Sequence, residues 1–182
     1  TGGNPAANGA PNLPAGTLRN TAGTVQAAGT AASQLSIDQA LHNRGGKILT
    51  TGDLTLAAAT VDNQGGTLHS AADLRVGVDG LLDNSNAGLI ASGGDASLSA
   101  DTLDNRSGSI EQAGEGQLQI DVQALQGAGG RIVSNGAMTL EGEALDISGG
   151  TTAARDVHVT AGSLNNAGRT VSATGEQGMG GE

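Results

Sequence analysis

Cysteine and aromatic residues are both missing from this chain of 182 residues. Without thiols there is no disulfide, no thiolate nucleophile and no cysteine metal site, a composition compatible with export in an unfolded state. Without Phe, Tyr or Trp, any core must be filled by Leu, Ile, Val and Ala, whose larger members each contribute about 1.5–3 kcal/mol on burial. That inventory suits a narrow interior better than a broad globular one. It also removes the stacking surfaces used to bind sugars and single-stranded nucleic acids. Cations are scarce: Lys47 is the only lysine, and 8 Lys plus Arg face 18 Asp plus Glu, for a formal net charge of -10. Neutralising phosphates needs clustered cations, so no nucleic-acid partner is expected. No apolar run nears the roughly 20 residues that span a bilayer, so no membrane insertion is expected. If the parent protein is exported, its signal is expected to lie outside this stretch. Proline occurs only at Pro5, Pro11 and Pro14.

What the chain does have is repetition. Leu82-Asp83-Asn84 is followed by Gly88-Leu89-Ile90-Ala91-Ser92-Gly93-Gly94-Asp95 and then Leu98-Ser99-Ala100. The next copy runs Leu103-Asp104-Asn105, Gly108-Ser109-Ile110, Ala113-Gly114 and Leu118-Gln119-Ile120. The apolar residue two places before the Asn position recurs as Leu18, Leu41, Val61, Leu82, Leu103, Leu125, Leu145 and Leu164, about 21 residues apart. A unit this short cannot bury its apolar face alone and needs a neighbour stacked on it.

Within each unit, apolar and polar residues alternate. Leu54 and Leu56, Leu74 and Val76, Leu98 with Ala100, Leu118 and Ile120, Met138 and Leu140, and Val157 and Val159 all flank one intervening residue, which is a strand signal. A second strand is marked seven or, once, eight residues after the anchor by Val25, Ile48, Leu68, Ile90, Ile110, Ile132 and Val171, with Thr152 as the polar departure. The spacing lacks helical periodicity and the units are too short for helix pairs. The expected fold is all-β: a parallel β-helix of about eight coils, each pairing its strands with the same strands of the next coil. At one strand spacing per coil the rod is roughly 40 Å long. Residues 1–16, Gly-, Asn- and Pro-rich, are expected to be an irregular lead-in or linker, residues 17–175 the array, and residues 176–182 a Gly-rich tail. The long step from Leu18 to Leu41 predicts an insertion among residues 28–34.

Two columns bear polar groups. Asn20, Asn43, Asn63, Asn84, Asn105 and Asn166 share one position and are expected to form a structural ladder of stacked amides, at corners whose left-handed backbone Asn tolerates. Leu54, Leu56, Leu74, Val76, Leu98, Leu118, Ile120, Met138, Leu140, Val157 and Val159 are expected as the core stack. Asp62, Asp83 and Asp104 form an adjacent carboxylate column, read either as a divalent-cation site or as caps on corner amides leaning on Arg44 and Arg106. The Gly-rich nonapeptide of calcium-binding β-rolls is absent, which favours the caps. His42, His69 and His158 fall at different places in their coils and share no metal-ligand spacing. Thr50, Ser70, Ser92 and Ser134 share a column and are read as stacked hydroxyls, with no His and carboxylate converging to make a nucleophile. Asn105-Arg106-Ser107 matches a glycosylation sequon, but its Asn belongs to the corner column, where burial is expected. No catalytic residue and no cofactor or metal site is assigned.

The repeat Leu82-Asp83-Asn84 to Ala100 resembles the filamentous haemagglutinin repeat of bacterial two-partner secretion exoproteins, which include large adhesins and the toxin carriers of contact-dependent growth inhibition. The resemblance spans roughly residues 17–175. It implies a right-handed β-helix, export through an outer-membrane barrel transporter, and a secreted, cell-surface location. Asn4-Pro5-Ala6-Ala7 and Pro11-Asn12-Leu13 match the family's secretion-domain motif too poorly to assign that domain, and no toxin-like domain is present. The expected role is a non-enzymatic shaft segment of a surface fibre, partnered by flanking repeats and projecting a distal binding or toxic domain. The alternative is an adhesive module recognising a host or bacterial surface molecule through one face of the rod. A polysaccharide-cleaving activity would need paired carboxylates in a groove that breaks the repeat.

Overall fold

The computed structural model describes residues 6–7, 12–168, 171–175 and 177–180. Every regular element among them is a β-strand. Short strands alternate with long ones. The short series is β1 (Ala6–Ala7), β3 (Thr24–Ala27), β5 (Lys47–Thr50), β7 (Thr67–Ser70), β9 (Leu89–Ser92), β11 (Ser109–Gln112), β13 (Arg131–Ser134), β15 (Thr151–Ala154) and β17 (Val171–Ala173). The other series is β2 (Asn12–Arg19), β4 (Ser33–His42), β6 (Leu54–Asp62), β8 (Leu74–Asp83), β10 (Ala96–Asp104), β12 (Gln117–Gln126), β14 (Ala137–Asp146), β16 (Asp156–Asn165) and β18 (Gln177–Gly180). Odd-numbered strands build one nine-stranded sheet and even-numbered strands another, each running in coil order. All pairings are parallel, as in β6 with β8, where Leu54, Leu56 and Val61 pair with Leu74, Val76 and Leu82. The chain is a β-solenoid of about eight turns, roughly 21 residues apart.

Most long strands change parity part-way. In β6 the buried positions are Leu54, Leu56 and Ala58, then Val61. In β4 and β8 the step is four, from Ile37 to Leu41 and from Val78 to Leu82, and the extra residue makes the register irregularity against β6 and β10. Such a bulge bends a strand and re-aims its side chains. One strand therefore supplies two walls of the interior, which is why the apolar pair and the later anchor Leu both point inward.

The core follows the expected columns. All eleven residues of the predicted stack are buried, as are the short-strand residues Val25, Ile48, Leu68, Ile90, Ile110, Ile132, Thr152 and Val171. At the last coil the column meets open surface: Leu164, an anchor by sequence, is 37% exposed because β18 covers only Val157 to Thr160 of β16.

Three sequence boundaries need correction. Asn12–Gly16, expected in the irregular lead-in, belong to β2, where Leu13 and Ala15 lie beneath Leu35 and Ile37. Pro14 interrupts the apparent alternation, but β2 is an edge strand, where a missing N–H is tolerated. Pro5 and Pro11 lie outside the described residues. Within the expected tail, Gln177–Gly180 form β18 and pair with β16, since backbone pairing needs no side chain. The expected insertion is split: two of the three residues by which this coil exceeds the next lie in the 28–32 connection, and one lies in the bulge between Ile37 and Ala40.

Candidate functional site

Among the described residues, the Asn corners hold half of the buried polar side chains. Asn43, Asn63, Asn84 and Asn105 are 0% exposed and Asn20 is 4%. Each side-chain N–H₂ donates upward to the next Oδ1: Asn20 to Asn43 at 2.7 Å, Asn43 to Asn63 at 2.7 Å, Asn63 to Asn84 at 2.7 Å and Asn84 to Asn105 at 2.8 Å. Its second hydrogen goes to a main-chain carbonyl of the coil above, those of Lys47, Thr67, Leu89 and Ser109. Both donors are thus used at a buried site, where a polar group is tolerated only when paired.

The ladder has five members, not six. Above Asn105 the position is taken by Gly127 and then Ile147, so Asn105 keeps the main-chain bond of the pattern, to the Arg131 carbonyl at 3.2 Å, without an amide above it. Asn166 occupies the same column but stands above Ile147 with no asparagine beneath it. The asparagines are also not the left-handed residues. Positive φ falls two places later, at Ala22, Gly45, Gly65, Ser107, Gly129, Gly149 and Gly168. After Asn84 it is Gly88 that closes a turn, onto the Ser85 carbonyl at 3.1 Å, whereas the residue three after Asn20, Asn43, Asn63 and Asn105 closes one onto that Asn's carbonyl, as Gly46 does on Asn43 at 2.9 Å and Gly66 on Asn63 at 2.9 Å. Its glycine answers a different demand: a Cβ on Gly46, Gly66 or Gly108 would collide with the carbonyl oxygen of Asn20, Asn43 or Asn84 in the coil below. The corner after Asn84 has one residue more, taken up by consecutive left-handed residues Asn86 and Ala87, and this accounts for the single eight-residue spacing.

Each corner carboxylate is engaged in its own coil. Asp62 Oδ1 accepts from Gln64 N at 3.3 Å, Asp83 Oδ1 from Ser85 N at 3.0 Å, and Asp104 Oδ1 from Arg106 N at 3.1 Å. Arg44 pairs with Asp62 at 3.0 Å, and Arg106 Nε donates to Asp104 at 3.0 Å. Burial pushes the Asp104 carboxyl up, but the Arg106 side chain, backbone amide and charge together outweigh it and hold it below its ordinary value. Among the described residues no group of three His, Asp or Glu side chains is placed to hold a metal ion. The geometry is that of turn caps: a short acceptor two residues ahead of a corner amide.

The hydroxyl column exists and is mixed. Ser70 Oγ donates across coils to the Gly52 carbonyl at 3.0 Å, and Ser92 Oγ donates to Gly94 O at 2.8 Å. Gln112, 2% exposed and not singled out by sequence, joins it: Nε2 donates to Gly94 O at 2.8 Å while Oε1 accepts from Ser134 Oγ at 2.7 Å. Its place four residues into a short strand, in register between Ser92 and Ser134, was the available signal. A second unforeseen series is Asp53, Asp73 and Asp95, each just before a long strand. Their Oδ1 atoms accept the backbone N–H of the coil above, from Asp73 at 3.2 Å, Asp95 at 3.0 Å and Gln117 at 2.8 Å.

Of the histidines, His42 and His69 are half-buried, and His158 is exposed with Nε2 3.2 Å from Thr160 Oγ1. None lies with another. The sequon Asn105 is enclosed in the ladder, out of reach of any modifying enzyme once folded. Along the bends of β8 to β16 runs a shallow groove whose lining includes Asp79, Asp101, Asp121, Glu141 and Glu143 and no cation.

The sequence profile of the family described as Haemagglutinin repeat matches the chain at residues 1–45, 30–85, 72–118 and 112–177. No curated protein sequence and no solved structure matches it.

Proposed function

Because the chain belongs to the haemagglutinin repeat family, we propose that it is a shaft segment of a secreted bacterial surface fibre, of the adhesin or toxin-delivery kind, that holds a distal domain away from the cell. The observation that carries this reading is the continuous aliphatic interior: every long strand from β4 to β16 keeps a buried aliphatic pair, from Leu35 and Ile37 to Val157 and Val159, and no inserted loop opens a site between them. A stack of parallel coils resists bending because displacing one coil strains the hydrogen bonds of two sheets at once. Each finished coil presents an ordered edge on which the next can pair. Such templating suits a chain that emerges unfolded from an outer-membrane barrel transporter, its proposed export partner, and the flanking repeats are its proposed neighbours in the fibre.

The test is a register-matched deletion in the parent fibre. Removing residues 63–104 joins Asp62 to Asn105 and takes out two coils while keeping every column in phase. A shaft predicts export and function intact, with the fibre shorter by about 10 Å, two strand spacings. Loss of target-cell binding at normal export would instead place recognition within the deleted coils. That second reading, an adhesive face recognising a host or bacterial surface molecule, has the acidic groove in its favour. Cell binding by this segment that is lost in an Asp101→Asn/Asp121→Asn double variant supports it, and no binding by the segment dismisses it.

A further inference from the structure

Three series of side-chain bonds between neighbouring coils stop at nearly the same height, above which Ser163 Oγ still donates to the Glu143 carbonyl at 3.3 Å. The amide ladder ends where Asn105 meets the Arg131 carbonyl. The inward polar column ends at Ser134 on Gln112, and Ala154 follows it. The Asp53–Asp73–Asp95 series ends on the amide of Gln117, with Ala137 next in register, and the column returns to Asp only at Asp156. The apolar columns thin in the same coils. The aliphatic short-strand position of Ile110 and Ile132 becomes Thr152, and the Val78–Ala100–Val122 column passes to Gly142, which pairs with Ala161. Ile147, 3% exposed, fills the vacated corner, so one aliphatic side chain is gained where two are withdrawn.

In a stacked array each coil contacts only its neighbours, so a run of weak interfaces localises opening rather than spreading it. We infer that this chain is two cooperative blocks: the coils from Asn20 to Ser134 act as one, and β14 to β18 open together at lower cost, leaving β12 as the edge of a shorter intact rod. The device is a rod with one yielding end, set by side chains while the backbone pairing of β12, β14 and β16 runs on.

Native-state hydrogen exchange on the full chain separates this from simple fraying, because β6 and β14 are each the third long strand from an end. The expected result is exchange in β14 and β16 at least about tenfold faster than in β6 to β12, with a step between Ser134 and Met138. Equal protection of β6 and β14 would overturn the inference. Two variants sharpen the test. Thr152→Ile refills the aliphatic column and slows exchange in β14 to β16 several-fold while leaving β6 unchanged. Asn84→Ala speeds exchange in β6 to β10 and spares β14 to β16, whereas an equal rise in both regions would mark a single cooperative unit and refute the two blocks.

Discussion

Asn84→Ala is the sharpest probe of the amide ladder. Asn84 is 0% exposed, accepts from Asn63 at 2.7 Å and donates to Asn105 at 2.8 Å and to the Ser109 carbonyl at 3.1 Å. Truncation removes three hydrogen bonds, each worth about 1 kcal/mol net, and strands two buried partners, the Asn63 N–H and the Asn105 Oδ1, at a further 1–3 kcal/mol or so apiece where they cannot find a new partner. Asn63 keeps its bond to the Leu89 carbonyl, and Asn105 keeps its own donors, which places the total at about 3–5 kcal/mol. For a chain of this size that corresponds to a fall in melting temperature of roughly 10 °C. Asn20→Ala supplies the internal comparison. Asn20 begins the ladder and strands only the Asn43 acceptor, so its loss should be about half as large by the same reckoning. Thermal unfolding followed by circular dichroism, with urea midpoints as a check, reads both variants. A change below about 1 °C for Asn84→Ala would refute the claim that the ladder stabilises neighbouring coils.

Three other outcomes follow from the corners. Gly66→Ala should destabilise strongly, because its Cβ meets the Asn43 carbonyl, whereas Gly45→Ala should cost only the roughly 1–2 kcal/mol of a left-handed Ala, since its site is open and Ala22 already holds that conformation; equal midpoints would show that the close approach is unimportant. Asp104 has its native carboxyl held below the ordinary 3.8, so its contribution is complete above that pH and is lost as pH falls through the lower native value. An acid titration of Asp104→Asn should therefore show a shallower loss of stability below about pH 4 than the parent, and superimposable profiles would remove Arg106 as its partner. Calcium at millimolar concentration should leave the melting curve unmoved, because Asp62, Asp83 and Asp104 are each engaged by their own corner; a rise of several degrees would revive the cation reading.

Much of this molecule was legible one residue at a time. In a solenoid the period of the sequence is the period of the structure, so alternation placed Leu54, Leu74, Leu98 and Leu118 inward, and the spacing of Asn20 to Asn105 placed five amides over one another. Proline and glycine misled at the ends, where Pro14 sits in an edge strand and Gly178 in a paired one, because edge pairing is decided by the backbone alone. What only the tertiary structure decided was which contacts run between coils. The left-handed residue lies two places past each asparagine, Gly66 is required by a carbonyl 23 residues earlier, and Gln112 and Asp53 acquire partners one coil away. Local propensity carries no record of a neighbour some 20 residues distant. The columns are written in the sequence, but the bonds along them exist only once one coil is laid on the next.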